Sequence, residues 1–111
     1  MNRMKLMGFA AVLALPCLCA AETWRNVALV DNMCAAKVKA NPDAHTKDCA
    51  LKCSESGYAV VTSDGTVLKL DAKGSEDALA AIKASSKADH LRVTVSGDRD
   101  GDTIKVKSLK M

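Results

Sequence analysis

The chain has 111 residues, of which 49% are hydrophobic and 26% are charged, and its formal net charge at pH 7 is +3. This length is typical of one domain. Removing Arg3 and Lys5 with a predicted leader leaves 14 of the 16 basic residues against 13 acidic ones, a net charge of +1. This near-neutral charge, with only one Trp, one Tyr and one Phe, predicts a protein that does not bind nucleic acid, which requires a basic face or stacking rings.

The first 21 residues have the features of an export signal. Arg3 and Lys5 precede an apolar run at 6–15, which is too short to span a bilayer as a helix. Small residues at Cys19 and Ala21 favour cleavage after Ala21. The sequence therefore predicts a signal peptide at 1–21 and a single domain at 22–111.

A lipid-anchored alternative would use Cys17 or Cys19 as the modified residue. Pro16 and Leu18 stand before these cysteines, where a small residue is expected. We therefore expect a periplasmic or secreted protein with no stable membrane insertion after the signal is cleaved.

The first half of the predicted domain contains a strand and a helix. Residues 24–31 are apolar and β-branched enough for the first strand, and 32–39 follow as a loop or a short helix. Asn41-Pro42 is a helix-start signal, with Asn as the N-cap and Pro at the first helical position. Thr46 is an alternative cap for a shorter helix. Gly57 has the usual C′ role at the helix end.

The next segment predicts a hairpin followed by a second helix. Residues 58–62 and 66–70 are strands, and Asp64-Gly65 between them is a two-residue turn signal. Ser75 is the predicted cap of the second helix. The predicted buried positions of this helix are Ala78, Leu79 and Ile82.

The last third predicts a second hairpin. Residues 90–96 alternate, with Leu91, Val93 and Val95 on one face. Residues 97–102 then form a turn, and 103–109 are the last strand. In that strand Ile104 and Val106 point inward, while Lys105 and Lys107 point outward.

Five strands with a helix between the third and fourth predict the fold class. The fold is mainly β with helices (α+β), a small five-stranded OB-fold-like barrel. A small α+β sandwich is the alternative. In the barrel, the Cys/His helix after strand 1 would close one end.

Several short motifs resemble those of a group of small exported bacterial proteins without an assigned activity. These motifs are LVD at 29–31, HTKDCALKC at 45–53, SGY at 56–58 and GDTIKV at 101–106. The resemblance covers most of the predicted mature chain. It implies an exported, barrel-like domain with a Cys/His cluster, and it implies no reaction.

Four residues with soft ligand atoms form the strongest candidate site. Cys34, His45, Cys49 and Cys53 have the spacing C-x10-H-x3-C-x3-C, and the last three would stack along one face of a helix. Three thiolates and one imidazole suit zinc or Cu(I). We expect a binding protein with a zinc or copper site and no catalysis, since no nucleophile elbow or phosphate loop is present.

Two other functions remain open for the same cysteines. In an oxidising compartment, a disulfide from Cys34 to Cys49 or Cys53 would staple the fold and leave one thiol unpaired. The protein would then be a metal-free module that binds an unknown protein or small molecule. A thiol redox protein is the second alternative, although the reactive C-x-x-C spacing is absent.

Overall fold

Five strands close into a barrel in the computed structural model, which describes residues 21–111. The strand order around the barrel is β1-β2-β3-β5-β4, and β4 pairs with β1. All neighbours are antiparallel except β3 and β5, which confirms the predicted OB-fold-like class. The strands are β1 Glu22–Asp31, β2 Tyr58–Val61, β3 Val67–Leu70, β4 Arg92–Asp100 and β5 Thr103–Lys110.

Helices cover the barrel at three places. The helices are α1 Ala35–Val38, α2 Lys47–Lys52 and α3 Ala72–Ala84, with 3₁₀ turns at Pro42–Ala44 and Ser54–Ser56. Ala50 of α2 belongs to the main core, so this helix packs against the barrel. None of the helices in the described residues combines the length and apolar character needed to cross a membrane. The predicted signal peptide lies outside those residues, except for Ala21.

The alternating strand residues form two buried clusters because successive side chains point to opposite faces. The main cluster fills the barrel and includes the predicted inward residues Leu91, Val93, Val95, Ile104 and Val106. A smaller cluster lies on the other face of β1 and β2, where Ala35 of α1 covers it. The strand β1 is therefore buried on both faces over its second half.

Helix α3 begins earlier than predicted. Its N-cap is Asp71, whose side chain accepts a hydrogen bond from the Gly74 backbone N–H at 2.9 Å. The prediction of Ser75 as the cap is wrong, because that hydroxyl instead accepts from the Tyr58 backbone N–H at 3.0 Å. Ala78 and Ile82 are buried as predicted, and Leu79 packs partly buried against the core.

The predicted single helix from Pro42 to the glycine at 57 is wrong. Its first turn is a 3₁₀ turn, and His45 then takes an extended conformation with ψ of 126°. Thr46 caps the short α2 by accepting from the Cys49 N–H at 3.2 Å, so the alternative cap is confirmed. Gly57 ends the following 3₁₀ turn with φ of +80°.

Both predicted hairpins are present, with different turns. The first has a three-residue loop at 63–65 inside the Thr62 N–H to Thr66 C=O bond of 2.9 Å. Only Gly65 of this loop has positive φ, so the two-residue turn is wrong. The second turn is shorter than the predicted 97–102: β4 continues to Asp100, and a Gly101-Asp102 loop leads into β5.

Candidate metal centre

The site begins at the last residue of β1. Asp31 has the same parity along the strand as Val27 and Leu29 of the main core, so its carboxylate points to the barrel side. The residue is fully buried. One carboxylate oxygen, Oδ2, accepts a hydrogen bond from the Cys34 backbone N–H at 2.9 Å. This bond holds the chain that leaves β1 over the carboxylate.

The loop after β1 is tied to the chain that follows α2. The Asn32 side-chain Nδ2 donates to the Ser56 carbonyl at 2.9 Å, and the Met33 backbone N–H donates to the Ser56 hydroxyl at 3.2 Å. These bonds place Cys34 beside Cys53, the residue that ends α2. One carboxylate oxygen of Asp31 and the two thiol sulfurs all lie within 4.8 Å of one another.

His45 lies behind this cluster. Its side chain is 2% exposed, and its Nε2 is 2.7 Å from Asp31 Oδ1. Apart from this contact, neither atom has a hydrogen-bond partner within the part of the chain that the structure describes. The imidazole thus contacts the carboxylate of the cluster and is not itself one of the three grouped ligands.

Cys49 lies apart from the cluster. It is exposed, whereas Ala50, the next residue of α2, packs into the core. The structure therefore groups Cys34 and Cys53 from the four predicted ligands, adds Asp31, and leaves Cys49 at the surface. Cys34, Cys49 and Cys53 are all free thiols.

The electrostatics of the cluster disfavour negative charge. Burial raises the pKa of the Cys34 thiol, and the nearby Asp31 carboxylate and Cys53 raise it further. Burial likewise raises the pKa of Tyr58, with smaller contributions from Asp31 and Cys53. The Tyr58 hydroxyl donates to the Ala50 carbonyl at 2.7 Å. A bound cation would offset the repulsion between the negative charges of these groups, and it would thereby favour the ionised form of the thiols.

Sequence reasoning missed Asp31 as a member of the site. The available signal was its parity: a carboxylate that ends an apolar strand on the core-facing side must be buried, and buried carboxylates are paired or bind metals. Asp43 and Asp48, two acidic residues close to the predicted ligands in sequence, do not belong to the cluster.

Comparisons of this chain with protein-family models, with curated proteins and with solved structures found no match.

Proposed function

We propose that this chain is an exported binding protein that holds a soft metal ion through Asp31, Cys34 and Cys53, without catalysis. The observation that carries the proposal is the mutual distance of the three ligand atoms, all under 4.8 Å. Ligands around tetrahedral zinc lie about 3.5–3.8 Å apart. The ligand atoms would therefore have to move by roughly 1 Å or less to close around an ion. Two of them belong to cysteines at helix ends, Cys34 before α1 and Cys53 after α2.

The donor set favours zinc over copper. Zinc accepts thiolate, imidazole and carboxylate ligands, whereas Cu(I) prefers sulfur and nitrogen. With a carboxylate among three ligands, zinc fits better, and a fourth position stays available for water or a partner's group. The contact between His45 and Asp31 supports the same site, because a neighbour outside the ligand set orients a ligating carboxylate.

Binding would release protons. The raised pKa of Cys34 means that its thiol is protonated at neutral pH, and the metal requires the thiolate. Zinc affinity is therefore expected to fall as the pH is lowered.

Calorimetric titration of zinc and Cu(I) into the reduced protein tests the proposal. We expect a Kd for zinc of about 1 μM or tighter, which corresponds to about −8 kcal/mol. Asp31→Asn, Cys34→Ser and Cys53→Ser should each weaken binding by at least about tenfold, and His45→Ala by about tenfold through the carboxylate it contacts.

Cys49→Ser is the matched control, because it removes a thiol of the same helix that lies outside the cluster. It should leave the zinc affinity unchanged. A reduced wild type that binds no zinc at micromolar concentration would end the metal proposal, and an equal loss in Cys49→Ser would reject this ligand set.

The proximity of Cys34 and Cys53 favours one second candidate, a reversible dithiol. A disulfide-containing oxidant would take two electrons from these thiols, which would lose two protons and form a bond, while the oxidant is reduced to thiols. Cys49 would remain the free thiol. Intact mass with and without reductant, followed by peptide mapping, distinguishes this oxidised pair from the zinc site.

The proposed export is tested separately by the mass of the protein recovered outside the cytoplasm. Cleavage after Ala21 gives a chain that starts at Glu22. A mass that retains residues 1–21, or that includes a lipid on Cys17 or Cys19, would contradict it.

A further inference from the structure

Two cavities meet on the side of the barrel formed by the start of β1. They have volumes of about 770 and 630 Å³, within the range of small-molecule sites. Both are lined by Thr23, Arg25, Asn26 and Arg92, so they adjoin one another, and together they are called the groove, with a larger and a smaller half. Asp31, Cys34 and Cys53 line neither half, so the groove is separate from the candidate metal centre.

A β-bulge shapes the middle of the groove. Trp24 pairs with Val95 and Val27 pairs with Val93, so two residues, Arg25 and Asn26, stand opposite one residue of β4. Asn26 has φ of +53°, a conformation that costs energy for a residue other than glycine and is enriched at functional sites. Bulges of this kind change the direction of the neighbouring side chains.

Arg92 fixes this strained segment in place. Its Nη1 donates to the Asn26 carbonyl at 2.7 Å, and its Nε and Nη2 donate to the two carboxylate oxygens of Asp43 at 3.0 and 2.8 Å. The charge of Arg92 is thereby offset by Asp43. The groove is preorganised by these bonds, which reduces the entropy that a ligand would lose on binding.

The two halves of the groove differ in chemistry. Trp24 and Pro42, both only partly buried, supply apolar surface to the larger half. The smaller half is lined by four basic side chains and by no acidic side chain. This concentration is notable in a predicted mature chain of net charge +1. The four basic residues are Arg25, Lys87, Arg92 and Lys110.

We propose that this groove binds a small organic anion that has an apolar or aromatic group. The apolar group would lie against Trp24 and Pro42 in the larger half. The anionic group, a carboxylate or a phosphate, would lie between Arg25 and Lys87 in the smaller half, where opposite charge attracts it and hydrogen-bond donors meet it. The site is independent of the metal proposal and would bind this ligand with or without zinc.

Tryptophan fluorescence of the full chain tests the groove directly, because Trp24 is the only tryptophan. The probes are 3-phenylpropionate, its neutral analogue 3-phenylpropan-1-ol and the short anion propionate. We expect 3-phenylpropionate to change the Trp24 emission with a Kd of about 1 mM or tighter. Each control probe lacks one of the two groups and should bind at least about fivefold more weakly.

Arg25→Gln and Lys87→Gln should each weaken 3-phenylpropionate binding by about fivefold, since each removes one exposed charge. Lys105→Gln is the matched control, because Lys105 is exposed on β5 and lines neither half of the groove. Added NaCl should weaken binding of the anion and leave the alcohol unaffected. No response of Trp24, equal binding of the anion and the alcohol, or equal effects of Arg25→Gln and Lys105→Gln would overturn the proposal.

Discussion

At the scale of single residues, the cysteines of the predicted site have different environments. Cys34 is half-buried beside the Asp31 carboxylate, and its pKa is raised. Cys49 is exposed on α2. Because the thiolate is the reactive form, the raised pKa and the partial burial of Cys34 both slow its reaction, whereas the Cys49 side chain is exposed.

Alkylation of the reduced protein with iodoacetamide should therefore label Cys49 before Cys34. A raised pKa lowers the thiolate fraction at any given pH below it, so the rate at Cys34 should keep rising with pH into the alkaline range. Peptide mapping of timed samples measures both rates, and unfolded protein in urea is the control in which the two should converge. Faster labelling of Cys34 at neutral pH in the folded protein would contradict the arrangement described above.

Asp31 contacts two of the predicted ligands, Cys34 and His45, and so brings them close together. Its two oxygens contact different partners: Oδ2 accepts from the Cys34 N–H at 2.9 Å, and Oδ1 lies 2.7 Å from the His45 ring. The histidine is therefore linked to the thiols through the carboxylate and not through a shared helix face.

At the scale of the elements, local sequence signals located the start of α2 and both hairpins, but not the conformation of the first turn. Thr46 caps α2 because its hydroxyl accepts a backbone N–H that the helix leaves free. The Asp64-Gly65 pair did mark a hairpin between β2 and β3, but only the glycine adopts positive φ. A three-residue loop with a glycine at that position is the next most common solution.

Replacing Gly65 by Val should destabilise the fold by on the order of 1 kcal/mol or more, because a β-branched residue resists positive φ. The steric surroundings do not add to this cost, since a Cβ at this position meets nothing within 4 Å. Urea denaturation monitored by circular dichroism measures the change in the free energy of unfolding.

Ser63→Val is the matched control, because Ser63 is exposed in the same loop and has no positive φ. It should change the midpoint little. If the two variants had equal midpoints, positive φ at Gly65 would not be the cause of the destabilisation.

At the scale of the whole molecule, the segment between α1 and α2 is fastened to the chain before β4. The Asp43 carbonyl accepts from the His90 N–H at 3.1 Å, and the Ala88 carbonyl accepts from the Lys47 N–H at 2.7 Å. The ion pair of Asp43 with Arg92 lies on the same seam. These bonds hold the segment that contains His45 against the barrel.

This seam should make stability depend on pH in the acid range. Hydrogen bonds from Arg92 hold the pKa of Asp43 below its usual value. The stabilisation is therefore fully present above the unfolded pKa, near 3.8, and is lost as the pH falls through the lower folded pKa. Asp43→Asn should cost about 1 kcal/mol at pH 7, a modest value because both side chains are partly exposed.

Urea denaturation at pH 7 and at about pH 2.5 checks this pH dependence, since the lower pH lies well below the usual pKa of an Asp side chain. The difference between wild type and Asp43→Asn should shrink at the lower pH. Glu55→Gln, at an exposed carboxylate, should show no comparable difference at pH 7. A difference between wild type and Asp43→Asn that stayed constant with pH would exclude the ion pair as its source.

The sequence by itself determined the barrel and much of its interior. Period-two alternation around Val93 and Ile104 assigns faces to each strand, and glycines at turns place the connections. These are local properties, because one face of a strand must be buried and a turn with positive φ favours glycine. The class, the sequence of strands and helices along the chain and the inward residues follow from them, whereas the order of the strands around the barrel was not predicted.

The tertiary structure alone decided which soft ligands meet. The equal spacing of His45, Cys49 and Cys53 suggested one helix face, but the chain is extended at His45, and this break puts the residues in different environments. Cys34 and Cys53 meet through bonds between Asn32 and Ser56, which are 24 residues apart in sequence. Contacts of this range depend on the pairing of β1 with β2 and have no local signature, so spacing alone could not identify the ligand set.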